Sequence, residues 1–193
     1  TVNPRLFPDQ IAWIINHAGA TVLFAAPEFA PLLARLVPHL THVRTIVYMT
    51  GAAHMPAASA DPLLADALCY ETLVDAEEPA FDWPVLDERA ASCLCYTSGT
   101  TGDPKGVVTH HRGAYLNAVC NAATWTMPHF PKYLWTLPMF HCNGWCFPWT
   151  VAMLGGTHVC LRKVEAKAML DAMREHGVDH YCAAPIVHNL LIN

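Results

Sequence analysis

Hydroxyl, glycine and lysine residues are concentrated in residues 96–107, which read Tyr-Thr-Ser-Gly-Thr-Thr-Gly-Asp-Pro-Lys-Gly-Val. Glycines let backbone N–H groups converge on an anion, while the hydroxyls and Lys105 add donors and a positive charge. This composition is typical of a polyphosphate cradle. It is not the P-loop of nucleotide hydrolases, because Gly106 follows the lysine where that motif needs a hydroxyl to hold magnesium. The alternative is a flexible surface loop rich in serine, threonine and glycine.

A second reactive group lies in residues 137–147, Leu-Pro-Met-Phe-His-Cys-Asn-Gly-Trp-Cys-Phe. This segment contains one histidine, His141. On position alone, a buried histidine bonded by its neighbours is the more common arrangement. The nearby Cys142 and Cys146 lack the Cys-x-x-Cys spacing of a structural zinc site, and no Gly-x-Ser-x-Gly elbow of a hydrolase occurs in the sequence.

Short apolar runs alternate with helical patterns on both sides of these segments, which predicts an α/β fold with parallel sheets flanked by helices. In the helix predicted over 165–176, the expected core face is Ala166, Met169, Leu170 and Met173. The other predicted helices cover residues 9–17, 28–37, 111–126, 143–154 and 185 onwards. The predicted strands cover residues 21–25, 44–49, 91–96, 107–109, 133–137, 157–161 and 180–184.

Residues 51–90 break this alternation with several prolines and a strong excess of acids. Their composition predicts an exposed acidic connection with short helices over 61–68 and 71–76. We therefore expect three parts: residues 1–50 as the end of a first αβ part, the connection, and residues 91–193 with the chemistry-bearing segments.

The composition excludes several classes of protein. The chain has 193 residues, of which 53% are hydrophobic and 14% charged, so it is not a disordered chain. The net charge of −5 and the lack of a basic cluster argue against a nucleic-acid partner. No apolar stretch is long enough for a transmembrane segment. A chain of this size and apolar content can form a core without disulfide bonds. We therefore expect the eight cysteines to be reduced thiols and the protein to be cytoplasmic.

Residues 96–107 resemble the signature loop of the adenylate-forming enzymes, the family of acyl- and aryl-CoA synthetases, luciferases and nonribosomal adenylation domains. Residues 3–6 and 137–145 resemble two further segments of that family, and the second is most similar to medium-chain fatty acyl-CoA ligases. The resemblance implies the α/β fold of the large N-terminal domain of such enzymes. It also implies that a carboxylic acid reacts with Mg-ATP to an acyl-adenylate and diphosphate, after which coenzyme A displaces AMP.

The resemblance also implies roles for individual residues. His141 would lie beside the acyl carboxylate and guard the route to the thiol. Thr101 would help to hold Mg²⁺. The phosphates of ATP would be bound by Thr97, Ser98, Gly99, Thr100, Thr101, Gly102 and Lys105, and the acyl pocket would be lined by Asn143, Trp145, Phe147, Ala184 and Pro185.

The adenine pocket, the ribose-binding aspartate and the C-terminal domain with its lysine have no candidates in this sequence. We therefore expect a piece of a ligase's large domain that is inactive alone. The alternative is a truncated module that binds nucleotide weakly or packs against a partner. The identity of the acid and the oligomeric state, a homo-oligomer included, stay open.

Overall fold

The computed structural model describes residues 1–97 and 104–193 and divides into two compact units. The N-terminal unit comprises Val2–Val85, and the C-terminal unit comprises Leu86–Thr97 and Lys105–Asn193. Among the described residues, no helix combines the length and the apolar character needed to cross a bilayer.

The N-terminal unit is built on a three-stranded parallel sheet in the order β1-β2-β3. Its central strand is the most buried, because its residues lie between strands and under helices. The core joins helix residues such as Ile11 and Ile15 to Ile46 of the central strand. The strands are β1 (Val22–Ala25), β2 (Thr45–Tyr48) and β3 (Leu68–Cys69), and the helices are α1 (Pro8–His17), α2 (Ala30–Leu36), α3 (Pro62–Ala65) and α4 (Tyr70–Asp75).

The acidic residues 51–90 contribute more than the expected exposed connection. The carboxylate of Asp61 accepts a hydrogen bond from the Leu63 N–H at 2.9 Å and caps α3, as its position predicts. The helix predicted over 61–68 nevertheless ends at Ala65, because residues 68 and 69 pair in parallel with Val47 and Tyr48 of β2. Two residues are too few to show a strand pattern in the sequence.

The C-terminal unit begins with an antiparallel pair, β4 (Ala91–Thr97) and β5 (Lys105–His110). The parallel arrangement expected for the sheets does not extend to this pair. Helix α5 (His111–Thr124) follows β5 directly, and the His110 ring accepts a hydrogen bond from the Gly113 N–H at 2.8 Å. The strand and the helix are therefore joined without a loop.

The second sheet of this unit is parallel, as predicted, in the order β7-β6-β8. The two faces of β6 bury different side chains: Tyr133 and Trp135 on one face and Leu134 on the other. The strands are β6 (Lys132–Trp135), β7 (Thr157–Cys160) and β8 (His180–Tyr181), and the helices are α6 (Phe147–Met153), α7 (Ala166–His176) and α8 (Pro185–Ile192).

Helix α7 confirms its predicted limits but not its whole predicted core face. Met169 is fully buried and Ala172 is buried beside it, whereas Leu170 is 46% exposed. The buried stripe is therefore rotated from the predicted one, because Met169 packs among Leu134, Val159 and neighbouring side chains of the sheet. The helix ends at Gly177, whose φ of +62° closes it in the left-handed region.

Candidate functional site

The two ends of the glycine-rich segment lie side by side. Thr97 ends β4, Lys105 begins β5, and the two residues are partners in the antiparallel register. The Thr97 hydroxyl lies 3.5 Å from the Lys105 carbonyl oxygen, to which it donates. The strand pair therefore places a hydroxyl and an ammonium side chain at the two ends of the segment. The other predicted phosphate-binding residues, Ser98, Gly99, Thr100, Thr101 and Gly102, lie outside the described residues.

The segments that follow β6 and β8 meet at one edge of the parallel sheet. Because the two strands are parallel neighbours, their carboxyl ends point to the same edge. Residues 137–147 follow β6, and Ala184 and Pro185 follow β8. The Thr136 hydroxyl, just after β6, donates a hydrogen bond to the Cys182 carbonyl, just after β8. This bond connects the two segments where they leave the sheet. This edge is where ligands bind in open α/β sheets.

The first of these segments contains a short 3₁₀ helix, Cys142–Cys146, whose φ angles are mostly positive, and we call it the left-handed turn. The φ angles are +44° at Cys142, +63° at Gly144, +57° at Trp145 and +62° at Cys146. The helix predicted from residue 143 is therefore wrong at its start: α6 begins at Phe147. The apolar periodicity of the sequence does not predict the turn. Residues other than glycine rarely adopt positive φ, so the residue types here give no sign of it.

The turn presents some predicted site residues and buries one. His141 is exposed at the start of the turn, so the alternative of a buried histidine is wrong. Trp145 is 55% exposed. Phe147 is buried behind the turn and stacks on Tyr133, with ring centroids 5.0 Å apart. Asn143 belongs to the turn by its backbone.

At the exit of β8, Ala184 and Pro185 are exposed at the start of α8. These two residues and the turn therefore share the carboxyl edge of the sheet. The roles given to the individual residues stay predictions.

Two polar residues that the sequence did not single out hold the turn in place. The Asn121 side-chain amide donates to the Trp145 carbonyl at 2.9 Å. The hydroxyl of Thr150, a fully buried residue of α6, donates to the Cys146 carbonyl at 3.0 Å. Both residues sit in apolar helical stretches, and no local signal marks them.

An aromatic pair packs against the same turn. The Trp135 indole N–H donates to Nδ1 of His158 at 2.9 Å, and the two rings are stacked. Partial desolvation lowers the pKa of His158, although much of the residue is exposed. The far edge of the Trp135 ring lies against Gly144. The indole of Trp135 therefore packs against the turn at Gly144.

Three cysteines of this unit, Cys93, Cys95 and Cys160, contact other segments or are partly desolvated. The Cys95 thiol lies 3.9 Å from the Phe140 carbonyl, to which it donates, so β4 contacts the segment that leads to His141. Burial raises the pKa of Cys93 and of Cys160, which disfavours the reactive thiolate. All eight cysteines of the chain are free thiols.

The comparisons with known proteins concern the family and the fold. The profile of the AMP-binding enzyme family matches residues 1–193. The chain belongs to this family.

Several relatives of this AMP-binding chain are CoA ligases by name. It is 41% identical over 200 residues to the acetate/butyrate–CoA ligase AAE7 of Arabidopsis thaliana, covering 100% of the chain and 35% of that protein. It is 40% identical to the acetate–CoA ligase CCL3 of Humulus lupulus, with the same coverage. The chain thus spans about a third of the length of these relatives.

Solved structures show the same fold. The luciferase-like enzyme of the mealworm Zophobas morio superposes with a TM-score of 0.78 at 19% identity, covering 100% of this chain and 42% of that one. The o-succinylbenzoate CoA synthetase of Bacillus subtilis superposes with a TM-score of 0.70 at 20% identity, covering 99% of this chain and 35% of that one. The chain therefore has the fold of the corresponding part of these enzymes.

Proposed function

We propose that the protein containing this chain is an ATP-dependent acyl-CoA ligase. A carboxylate oxygen attacks the α-phosphorus of ATP, the bond to the bridging oxygen breaks, and diphosphate leaves. The thiol of coenzyme A then loses its proton, its sulfur attacks the acyl carbon, and AMP leaves with the electrons of the broken acyl–phosphate bond. The observation that carries the proposal is the placement of the His141 turn and of residues 182–185 at one carboxyl edge, with β4 in contact with the same segment.

The phosphate-binding role belongs to the segment between β4 and β5. Two anions must meet in the first step, so positive charge and N–H dipoles are needed where negative charge develops. Lys105 supplies the charge at one end and Thr97 a hydroxyl at the other. Ser98, Gly99, Thr100, Thr101 and Gly102 are proposed to bind the phosphates, with Thr101 at the Mg²⁺ that accompanies ATP; the Bacillus subtilis relative in fold was solved with ATP and a magnesium ion.

The acid is proposed to be small. Relatives at 39–42% identity are named for acetate, butyrate and 2-methylpropanoate, and one at 40% for benzoate. The acyl chain would lie at the carboxyl edge, between the turn with Asn143 and Trp145 and the exposed Ala184 and Pro185. Phe147 would support the turn from behind, where it stacks on Tyr133.

The deciding experiment is acid-dependent exchange of labelled diphosphate into ATP by the full-length protein. Lys105→Ala is expected to slow the exchange by about a hundredfold, which is the usual cost of losing one group that stabilises transition-state charge. Lys167→Ala is the matched control, because Lys167 is exposed on α7 and pairs with Asp171 at 2.5 Å. An unchanged rate in Lys105→Ala would remove the phosphate role.

His141 is tested in the same preparation. His141→Ala is expected to slow transfer to coenzyme A or to raise the KM for the acid, and full activity would refute its placement. A panel of acetate, butyrate, 2-methylpropanoate and benzoate identifies the preferred acid. The 193 residues alone are expected to show no exchange, and robust exchange would contradict that expectation.

Location and partners complete the proposal. We propose a cytoplasmic protein that takes small molecules and no nucleic acid, in line with its free thiols and its net charge of −5. The names of the Arabidopsis relatives AAE7 and AAE11 place those two proteins in peroxisomes. A fluorescent fusion of the full-length protein decides between the compartments, and a peroxisomal pattern would overturn the cytoplasmic one. Light scattering of the same protein tests for a homo-oligomer.

A further inference from the structure

The left-handed turn Cys142–Cys146 is a conformation that its own sequence does not favour. Cys142, Trp145 and Cys146 all carry a Cβ and all have positive φ. Such a backbone persists only where the surrounding structure determines it, and strained segments of this kind cluster at functional sites. The question is therefore which contacts hold the turn.

Three carbonyl groups along the turn accept hydrogen bonds in addition to that of Gly144, which accepts from the Phe147 N–H. The His141 carbonyl accepts from the Gly144 N–H at 2.9 Å, and the Cys146 carbonyl accepts from the Thr150 hydroxyl at 3.0 Å. Both donors are within four residues of their acceptors. The third acceptor, the Trp145 carbonyl, is bonded at 2.9 Å by Asn121, which is 24 residues away on α5. This contact ties the turn to a different helix.

The position of Asn121 requires a donor rather than an acceptor. Its Nδ2 faces the Trp145 carbonyl and also lies 3.4 Å from the Thr150 hydroxyl oxygen. The Thr150 oxygen lies within 3.3 Å of the Ala118 carbonyl on the same helix as Asn121. The side-chain oxygen of an aspartate at this place would face a carbonyl oxygen and repel it.

Helix α5 also connects to the strand pair that flanks the glycine-rich segment. It begins at His111, directly after β5, and the His110 ring caps it. Asn121 therefore links the helix that follows the Lys105 strand to the turn that follows His141.

We propose that Asn121 is a positioning residue for the ligase reaction: by holding the Trp145 carbonyl it sets where His141 and Trp145 stand relative to the β4–β5 pair. The expected effect on kcat rests on the proposed function. The expected effect on the conformation of the turn rests on its geometry alone. Asn121 takes no part in bond making, and its effect passes through the turn.

The kinetic test compares Asn121→Ala with Asn117→Ala in the full-length protein. Asn117 is exposed one turn earlier on the same helix, so it controls for the change from asparagine to alanine. In the complete ligase reaction with coenzyme A, Asn121→Ala is expected to lower kcat by about tenfold, because misplacing a reacting group by about an ångström has costs of this order or more. The KM for ATP should stay within about twofold, because the phosphate-binding segment is untouched. Asn117→Ala should match the wild type.

A second measurement does not depend on activity. N-ethylmaleimide labelling, mapped by mass spectrometry, follows Cys146 in the turn, which is half-buried, and Cys160 on β7 as an internal reference. Release of the turn should speed labelling of Cys146 about threefold or more and leave Cys160 unchanged. Asn121→Gln keeps the amide donor and should recover part of both effects, whereas Asn121→Asp should not.

The outcomes separate the two proposals. If the wild type shows no acid-dependent exchange, the proposed function fails. The labelling rate of Cys146 still tests whether the bond from Asn121 to the Trp145 carbonyl holds the turn. An unchanged labelling rate of Cys146 in Asn121→Ala would show that the bond from Asn121 to the Trp145 carbonyl does not hold the turn. Faster labelling of Cys146 with unchanged kcat in an active enzyme would overturn the positioning role. If Asn121→Ala does not fold, which loss of the far-ultraviolet circular dichroism of the wild type would reveal, the comparison of Asn121→Gln with Asn121→Asp decides.

Discussion

Gly144→Ala is expected to destabilise the C-terminal unit for two separable reasons. The first is backbone strain: Gly144 has φ +63°, and a residue with a Cβ costs about 1–2 kcal/mol in that region. The second is crowding. A Cβ on Gly144 would lie 3.2 Å from Cη2 and Cζ3 of Trp135 and 3.3 Å from Cδ of Pro148. These distances are tighter than ordinary van der Waals contact.

The indole cannot easily move away. Trp135 is 4% exposed, its N–H is bonded to His158 at 2.9 Å, and its ring packs against Tyr133 with centroids 5.1 Å apart. Adding a methyl group against a packed side chain costs about 1–3 kcal/mol. Together with the strain, the free energy of unfolding should fall by about 2–5 kcal/mol.

Gly177→Ala isolates the strain. Gly177 has φ +62° in the same unit, and the nearest atom to its added Cβ is the flexible end of Lys132, at 3.4 Å. This variant should therefore lose only about 1–2 kcal/mol. Urea denaturation of wild type and both variants, followed by tryptophan fluorescence, gives the two costs if the m-values agree. Equal costs for Gly144→Ala and Gly177→Ala would refute the packing of Trp135 against the turn.

Three further predictions address the same unit. In Gly156→Ala, the added Cβ would lie 2.5 Å from the Pro131 carbonyl oxygen, so the backbone must shift and the Tm should fall. The control Gly51→Ala has no atom within 4 Å of the added Cβ and should keep or slightly raise the Tm. Equal Tm values for the two variants would contradict the contact with Pro131. Thr150→Val removes the hydroxyl that bonds the Cys146 carbonyl in a fully buried place, so urea denaturation should show a loss of about 1–3 kcal/mol, and no loss would argue against that bond. Partial desolvation lowers the pKa of the largely exposed His158 below its ordinary 6.5. The unfolded chain therefore binds the proton more readily, and the free energy of unfolding should fall slightly as the pH drops through about 6.5. His158→Asn keeps an acceptor for Trp135 and should make that fall shallower, and an identical pH profile would refute the contribution of His158.

The sequence predicted most elements whose pattern is local. Helix α1 is found at Pro8–His17 against a prediction of 9–17, and α7 at Ala166–His176 against 165–176. Each has apolar residues at helical spacing and an ending residue, and both signals lie within a few turns of chain. The parallel direction of the sheet around β6 also follows from the alternation of strands and helices.

What the sequence missed depends on contacts between distant residues. Leu68 and Cys69 form a strand only because β2 lies beside them, and residues 143–146 leave the helical pattern because the turn is bonded from outside. The antiparallel direction of β4 and β5 is likewise a property of the pair. Strand patterns in a sequence indicate burial, and they do not indicate the direction of the partner.

By itself the sequence determined the chemistry that this chain can offer: a glycine- and hydroxyl-rich segment with Lys105, and a second segment with His141. Residue types and their short spacing carry that information, because they set which donors, charges and proton carriers are present. The tertiary structure alone decided how these groups are held. Parallel pairing brings the exits of β6 and β8 to one edge, and a hydrogen bond from Asn121 to the Trp145 carbonyl holds a strained turn there. Such contacts join residues far apart in the chain, where local propensity has no influence.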